Sequence, residues 1–118
     1  MDATIEDRIF EAAEASGRFH SDAFYLILRA LEVAQQHRGQ PGHISGRTLL
    51  EQIKEMVRRE YGPMALTVLH HMGLYRTEDV GDLVFLMVEK GLLRKRDEDC
   101  LDDFKDVFDF EEIFEYKW

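Results

Sequence analysis

The side chains of this chain best suited to chemistry are five histidines, twenty-four carboxylates and a single cysteine. The histidines are His20, His37, His43, His70 and His71, and only the last two are neighbours. Consecutive residues on a helix point about 100° apart, so His70 and His71 cannot hold one ion from one face. A metal site needs a further ligand three or four residues away or from a distant segment, and none stands nearby in sequence. The pattern predicts no metal site and leaves the histidines as partly exposed groups.

Carboxylates crowd the segment from Asp97 to Glu112, which raises the question of calcium. An EF-hand loop needs oxygen ligands at alternate early positions, a glycine at the sixth and a glutamate at the twelfth. Counted from Asp97, Leu101 falls where an oxygen is required and Asp102 where the glycine is required. Counted from Asp99, Leu101 again takes a ligand position, so the segment reads as a solvated acidic face. Nucleophile and phosphate motifs are missing as well: there is no G-x-S-x-G, no P-loop and no G-x-G-x-x-G, and Ser45-Gly46 reads as a helix start. Cys100 stands among Glu98, Asp99, Asp102 and Asp103, whose charge disfavours a reactive thiolate, and a lone cysteine forms no internal disulfide. No catalytic, cofactor-binding or metal-ligating residue is assigned. An enzyme would require distant groups such as Glu60, His70 and Asp82 to converge in a pocket.

The elements that must position these groups are mostly helical. Ile5, Ile9, Ala12 and Ala13 form the apolar stripe of a first helix that Ser16-Gly17 ends. Ser21 and Asp22 can cap a second, central helix with its body over Ala23 to His37, broken by Gly39-Gln40-Pro41-Gly42. Ser45 caps a third, with Leu49, Leu50, Ile53, Met56, Val57 and Tyr61 on one face. Gly62-Pro63 stops it and starts a short fourth helix from Met64 to Met72, so Met64, Val68 and Met72 are expected to share a core with Ile53 and Val57. A fifth runs from Thr77-Glu78-Asp79 to Lys90, with Gly91 as its stop. Beyond it two readings compete: a small hairpin between residues 92 and 110, or a last short helix capped by Asp109. The fold expected is therefore mainly α, a compact helical domain of five to seven helices over residues 1–118, with room for a short winged-helix-like β-hairpin near the C-terminus.

The charge distribution narrows the partners. Residues 97–118 carry ten acids against Lys105 and Lys117, so most of the net charge of −9 lies at one end of an otherwise near-neutral body. Such an end repels phosphate backbones and anionic membranes and favours basic partners. The stretch from Met64 to Arg96 is laid out like a winged helix, but Glu78, Asp79 and Asp82 stand where bases would be read, and Arg94-Lys95-Arg96 is a small basic patch. Nucleic acid is disfavoured on this count. No apolar run is long enough to cross a bilayer and the first residues lack a secretion pattern, so the expected location is the cytoplasm.

Residues 43–114 also carry a resemblance. His43-Ile44-Ser45-Gly46, Tyr61-Gly62-Pro63-Met64-Ala65-Leu66, Thr77-Glu78-Asp79-Val80-Gly81-Asp82-Leu83 with Val88-Glu89-Lys90-Gly91, and Phe108-Asp109-Phe110 resemble a small conserved hypothetical protein family of bacteria, found mainly in Planctomycetes and Verrucomicrobia. The resemblance implies no activity, ligand or catalytic residue. What the residues themselves suggest is a protein-interaction or assembly module that contacts a protein partner or a second copy. Its candidate anchors are Phe104, Phe108, Phe110, Phe114 and Trp118, aromatics set in an acidic segment. A nucleic-acid-associated regulator is the runner-up.

Overall fold

Thr4 accepts a hydrogen bond from the N–H of Asp7 (3.1 Å), and Asp7 accepts one in return from the N–H of Thr4 (3.3 Å). This reciprocal box starts α1 (Ile5–Ser16), which Gly17 ends in the left-handed conformation. The computed structural model describes residues 3–38, 44–94 and 101–114. Within them follow α2 (Ser21–Arg38), α3 (Gly46–Tyr61), α4 (Ala65–Met72), α5 (Thr77–Glu89) and a one-turn α6 (Phe110–Phe114), with 3-10 turns at Gly62–Met64 and Leu101–Phe104.

α2 is central, as its composition suggests. Ala23, Phe24, Ile27 and Ala30 are fully buried, and α2 packs along α3, α1 and α4. The stripe of α3 also falls where its spacing puts it: Leu49, Leu50, Ile53, Met56 and Val57 are buried, and Ser45 accepts the N–H of Thr48 (3.2 Å). Two details differ. The 3-10 turn around Pro63 comes before α4 and leaves Met64 55% exposed, so Met64 does not join Val68 and Met72 against the core. Ile5, half-exposed, stands at the first position of α1, beyond the cover that buries Ile9 and Ala12.

No strand occurs among the described residues, so the winged-helix-like hairpin is not seen. The N–H groups of Leu92 (2.8 Å) and Leu93 (3.3 Å) both donate to the Met87 carbonyl, closing the end of α5 in a bend instead of extending. At the other side of the expected hairpin Asp109 accepts the N–H groups of Glu111 (2.8 Å) and Glu112 (3.2 Å), which is the helix-capping reading.

Three of the C-terminal aromatics lie inside. Phe104, Phe110 and Phe114 are 5%, 2% and 4% exposed, so they complete the core where they were expected to offer anchors to a partner. Phe108 is partly buried and stacks on Phe110 (5.7 Å between ring centroids), and Trp118 lies outside the described residues. For Phe104 the cause is a landing surface on two helices that carry glycine there. A Cβ on Gly81 of α5 would come within 2.8 Å of the Phe104 side chain, and one on Gly46 of α3 within 3.0 Å of its ring. The Phe104 ring fills the space the two glycines leave, and the Thr77 hydroxyl accepts the N–H of Val107 (3.2 Å) to hold this strap, residues 101–110, in place.

Candidate functional site

The site is assembled where the start of α2 meets the end of α4. Met72 closes α4, and Gly73 follows at φ 91°, a backbone conformation that glycine adopts without the cost other residues bear. A Cβ there would also collide with the Arg18 carbonyl oxygen, so the bare glycine lets the α1–α2 connection lie directly on the α4–α5 connection. The N–H of His20 then donates to the Met72 carbonyl (3.1 Å). Arg18 locks the junction from the side, bonding Asp79 at 2.6 Å and Asp82 at 2.9 Å with its guanidinium over the Phe19 ring. Partial burial of Arg18 works to lower its pKa, but the hydrogen bonds and charges of Asp82 and Asp79 outweigh it and hold the guanidinium above its ordinary value. Asp79 is buried and fully engaged, since its other oxygen accepts the N–H groups of Tyr75 (2.8 Å) and Arg76 (3.0 Å).

This junction sets His20 beside His71, with ring centroids 4.8 Å apart and planes tilted by 42°. Nδ1 of His20 accepts the N–H of Asp22 (3.0 Å), so an imidazole caps α2 where Ser21 or Asp22 were expected to. The same Nδ1 lies 3.5 Å from the Asp22 carboxylate. Ligand-capable atoms of His20, Asp22 and His71 all fall within 4.8 Å of one another. Reading along the chain found no partner for His71, because its partners stand some fifty residues earlier and reach it only through the packing of α2 on α4.

Asp22 and His71 also border a cleft of about 560 Å³ between α2, α4 and the end of α3. Its floor is apolar, with Leu26 and Met72 buried and Val68 partly so, and Tyr25 and Tyr61 stand at its sides. Arg29 is seven residues after Asp22 on the same helix, about 10 Å along it, and is paired with Glu60 at 2.7 Å. The cleft therefore has a neutralised cation toward one end and, at the other, the Asp22 carboxylate, which no lysine or arginine pairs among the described residues. A second hollow of about 610 Å³ follows the outer face of α3 and is lined by polar and charged side chains of that helix only.

Glu60, His70 and Asp82 do not share a pocket. Glu60 pairs with Arg29, His70 stacks on Tyr75 (4.6 Å) and Asp82 holds Arg18. Arg94 is exposed, while Lys95, Arg96, Cys100 and the acids Asp97 to Asp99 lie outside the described residues. No helix among the described residues is long and apolar enough to cross a membrane. Comparison with protein-family models, curated proteins and solved structures finds no match for this chain.

Proposed function

We propose that this domain is a cytoplasmic, non-enzymatic protein-interaction or assembly module, and that its receiving surface is the cleft between α2 and α4, not the C-terminal aromatics. The observation that carries the reading is the cleft's make-up: an apolar floor with methionine, two tyrosines at its sides and a polar rim, the composition of an interface core. Its volume is in the range of binding clefts, about 300–1,000 Å³. The Asp22 carboxylate at one end of the cleft, with no lysine or arginine paired to it among the described residues, favours a partner segment that pairs an aliphatic side chain with a lysine or arginine. The bacterial family that residues 43–114 resemble belongs to the same proposal and adds no activity to it.

Titration of the isotope-labelled protein with short peptides of that kind, observed by NMR, tests the reading. Amide shifts confined to Tyr25, Tyr61, Thr67 and His71, weakening as salt is raised and lost in Thr67→Arg, are the expected result. Thr67 is exposed in the cleft, so the substitution adds a repelling charge without disturbing the core. Equal binding of acidic peptides, or shifts scattered over the surface, overturns it. Light scattering that showed a stable dimer closing the cleft would turn the same surface into a self-association face.

A further inference from the structure

We propose that His20, Asp22 and His71 form a binding site for a divalent transition-metal ion, zinc foremost. The inference stands apart from what occupies the cleft and rests on donor chemistry, spacing and the way the backbone holds the three groups. Two imidazoles and a carboxylate are the donor set that zinc and its neighbours in the first transition row prefer, and calcium and magnesium do not. Zinc bonds of about 2.0–2.1 Å in tetrahedral geometry separate two ligand atoms by about 3.4 Å. His20 Nδ1 and the Asp22 carboxylate are already 3.5 Å apart, and the third donor lies within 4.8 Å. All three side chains are exposed, so the remaining closure is a matter of side-chain rotation in solvent.

What cannot rotate away is the backbone. The His20 N–H bond to the Met72 carbonyl fixes one histidine against the residue next to the other, and Asp22 sits in the first turn of α2. When an ion takes the lone pair of His20 Nδ1, the Asp22 N–H is released to water. The loss of that cap is softened by the exposure of Asp22 to water, and the bonds to the ion must outweigh it. The helix ends oppose each other: α4 ends at Met72 and its negative pole favours a cation there, whereas the start of α2 disfavours one. Asp22 carries the charge that decides between them. Neither ring nitrogen of His71 is used in a hydrogen bond among the described residues, so metal binding there competes with nothing but water and protons. Three protein ligands leave at least one position open, and since Asp22 and His71 line the cleft, that position adjoins it.

His70 supplies an internal control, being the neighbour of His71 in sequence yet stacked on Tyr75 at 4.6 Å, away from the cluster. The experiment is calorimetric titration of the full chain with a zinc salt, with NMR of the histidine side chains in parallel. One zinc per chain is expected, with shifts at the His20 and His71 rings and none at His37 or His70, reversal by a chelator, and a raised melting temperature because the ion ties the start of α2 to the end of α4. His20→Asn, which keeps a capping acceptor, and His71→Ala should each weaken binding by more than the roughly 10–100-fold that losing an outer-shell contact costs. Asp22→Asn, at an exposed position, gives a third, independent loss. His70→Ala should leave the affinity unchanged. The proposal is overturned by absence of saturable binding, by affinity that survives both histidine substitutions, or by an equal loss in His70→Ala. None of these outcomes depends on peptide binding, because no peptide is present in the zinc titration.

Discussion

Replacing Gly73 by alanine should cost about 2–4 kcal/mol of stability, and Gly17→Ala shows why. Both glycines have positive φ, 91° and 60°, where a side chain carries strain of about 1–2 kcal/mol. Gly17 has nothing within 4 Å of the place its Cβ would take, so strain is its whole cost. At Gly73 the new methyl meets the Arg18 carbonyl oxygen, and backbone must move on one side or the other. Moving it breaks or lengthens the His20 N–H bond to Met72 and disturbs the Arg18 contacts to Asp79 and Asp82, a further loss of about 0.5–1.5 kcal/mol for each hydrogen bond. Urea denaturation at equilibrium, with the slope compared between variants, measures both losses on one scale. The same displacement parts His20 from His71, so Gly73→Ala should also lose zinc affinity that Gly17→Ala retains. Equal stability losses at the two positions would refute the reasoning, because they would mean that the close approach of the two connections contributes nothing.

Phe104→Ala should cost about 3–5 kcal/mol, the range for emptying a buried phenylalanine site, and its melt should match that of Gly81→Ala if both act by undocking the strap. Asp79→Ala leaves the N–H groups of Tyr75 and Arg76 without their acceptor and should cost about 3 kcal/mol, whereas Arg18→Ala, whose side chain is 45% exposed, should cost less. A double-mutant cycle between the two should show coupling above about 0.5 kcal/mol. Leu69→Ala, at a fully buried position, should cost about 2–5 kcal/mol in denaturant melts, with Leu66→Ala, only partly buried, below it and Pro63→Ala close to neutral.

The helices were legible because their signals are local. The apolar repeat of α3, the Ser45 cap and the glycines after Ser16, Met72 and Lys90 act within one turn of the residues they organise, so spacing alone places them. Where a local pattern is ambiguous, distant packing decides. Phe108-Asp109-Phe110 alternates like a strand, but Phe110 turns into a core shared with α4, and the backbone is left to Asp109 to cap. That Phe104 lies in the core has a related reason: a sequence shows how much apolar surface a segment carries, not whether two glycines elsewhere have left it a seat.

The candidate metal cluster lay further out of reach. Its three members come from the cap and first turn of one helix and the last turn of another, and the contact between them exists because a glycine at residue 73 admits the Arg18 carbonyl and a backbone bond joins His20 to Met72. No periodicity encodes that meeting. The trace it leaves in the sequence is indirect: a histidine where serine or aspartate would ordinarily cap a helix, and two histidines at the end of α4, close to the pole that favours positive charge. Each feature alone is ordinary. Together they put nitrogen donors at a helix start and at a helix end, and two such ends brought into register by backbone can share an ion without any spacing rule between their residues.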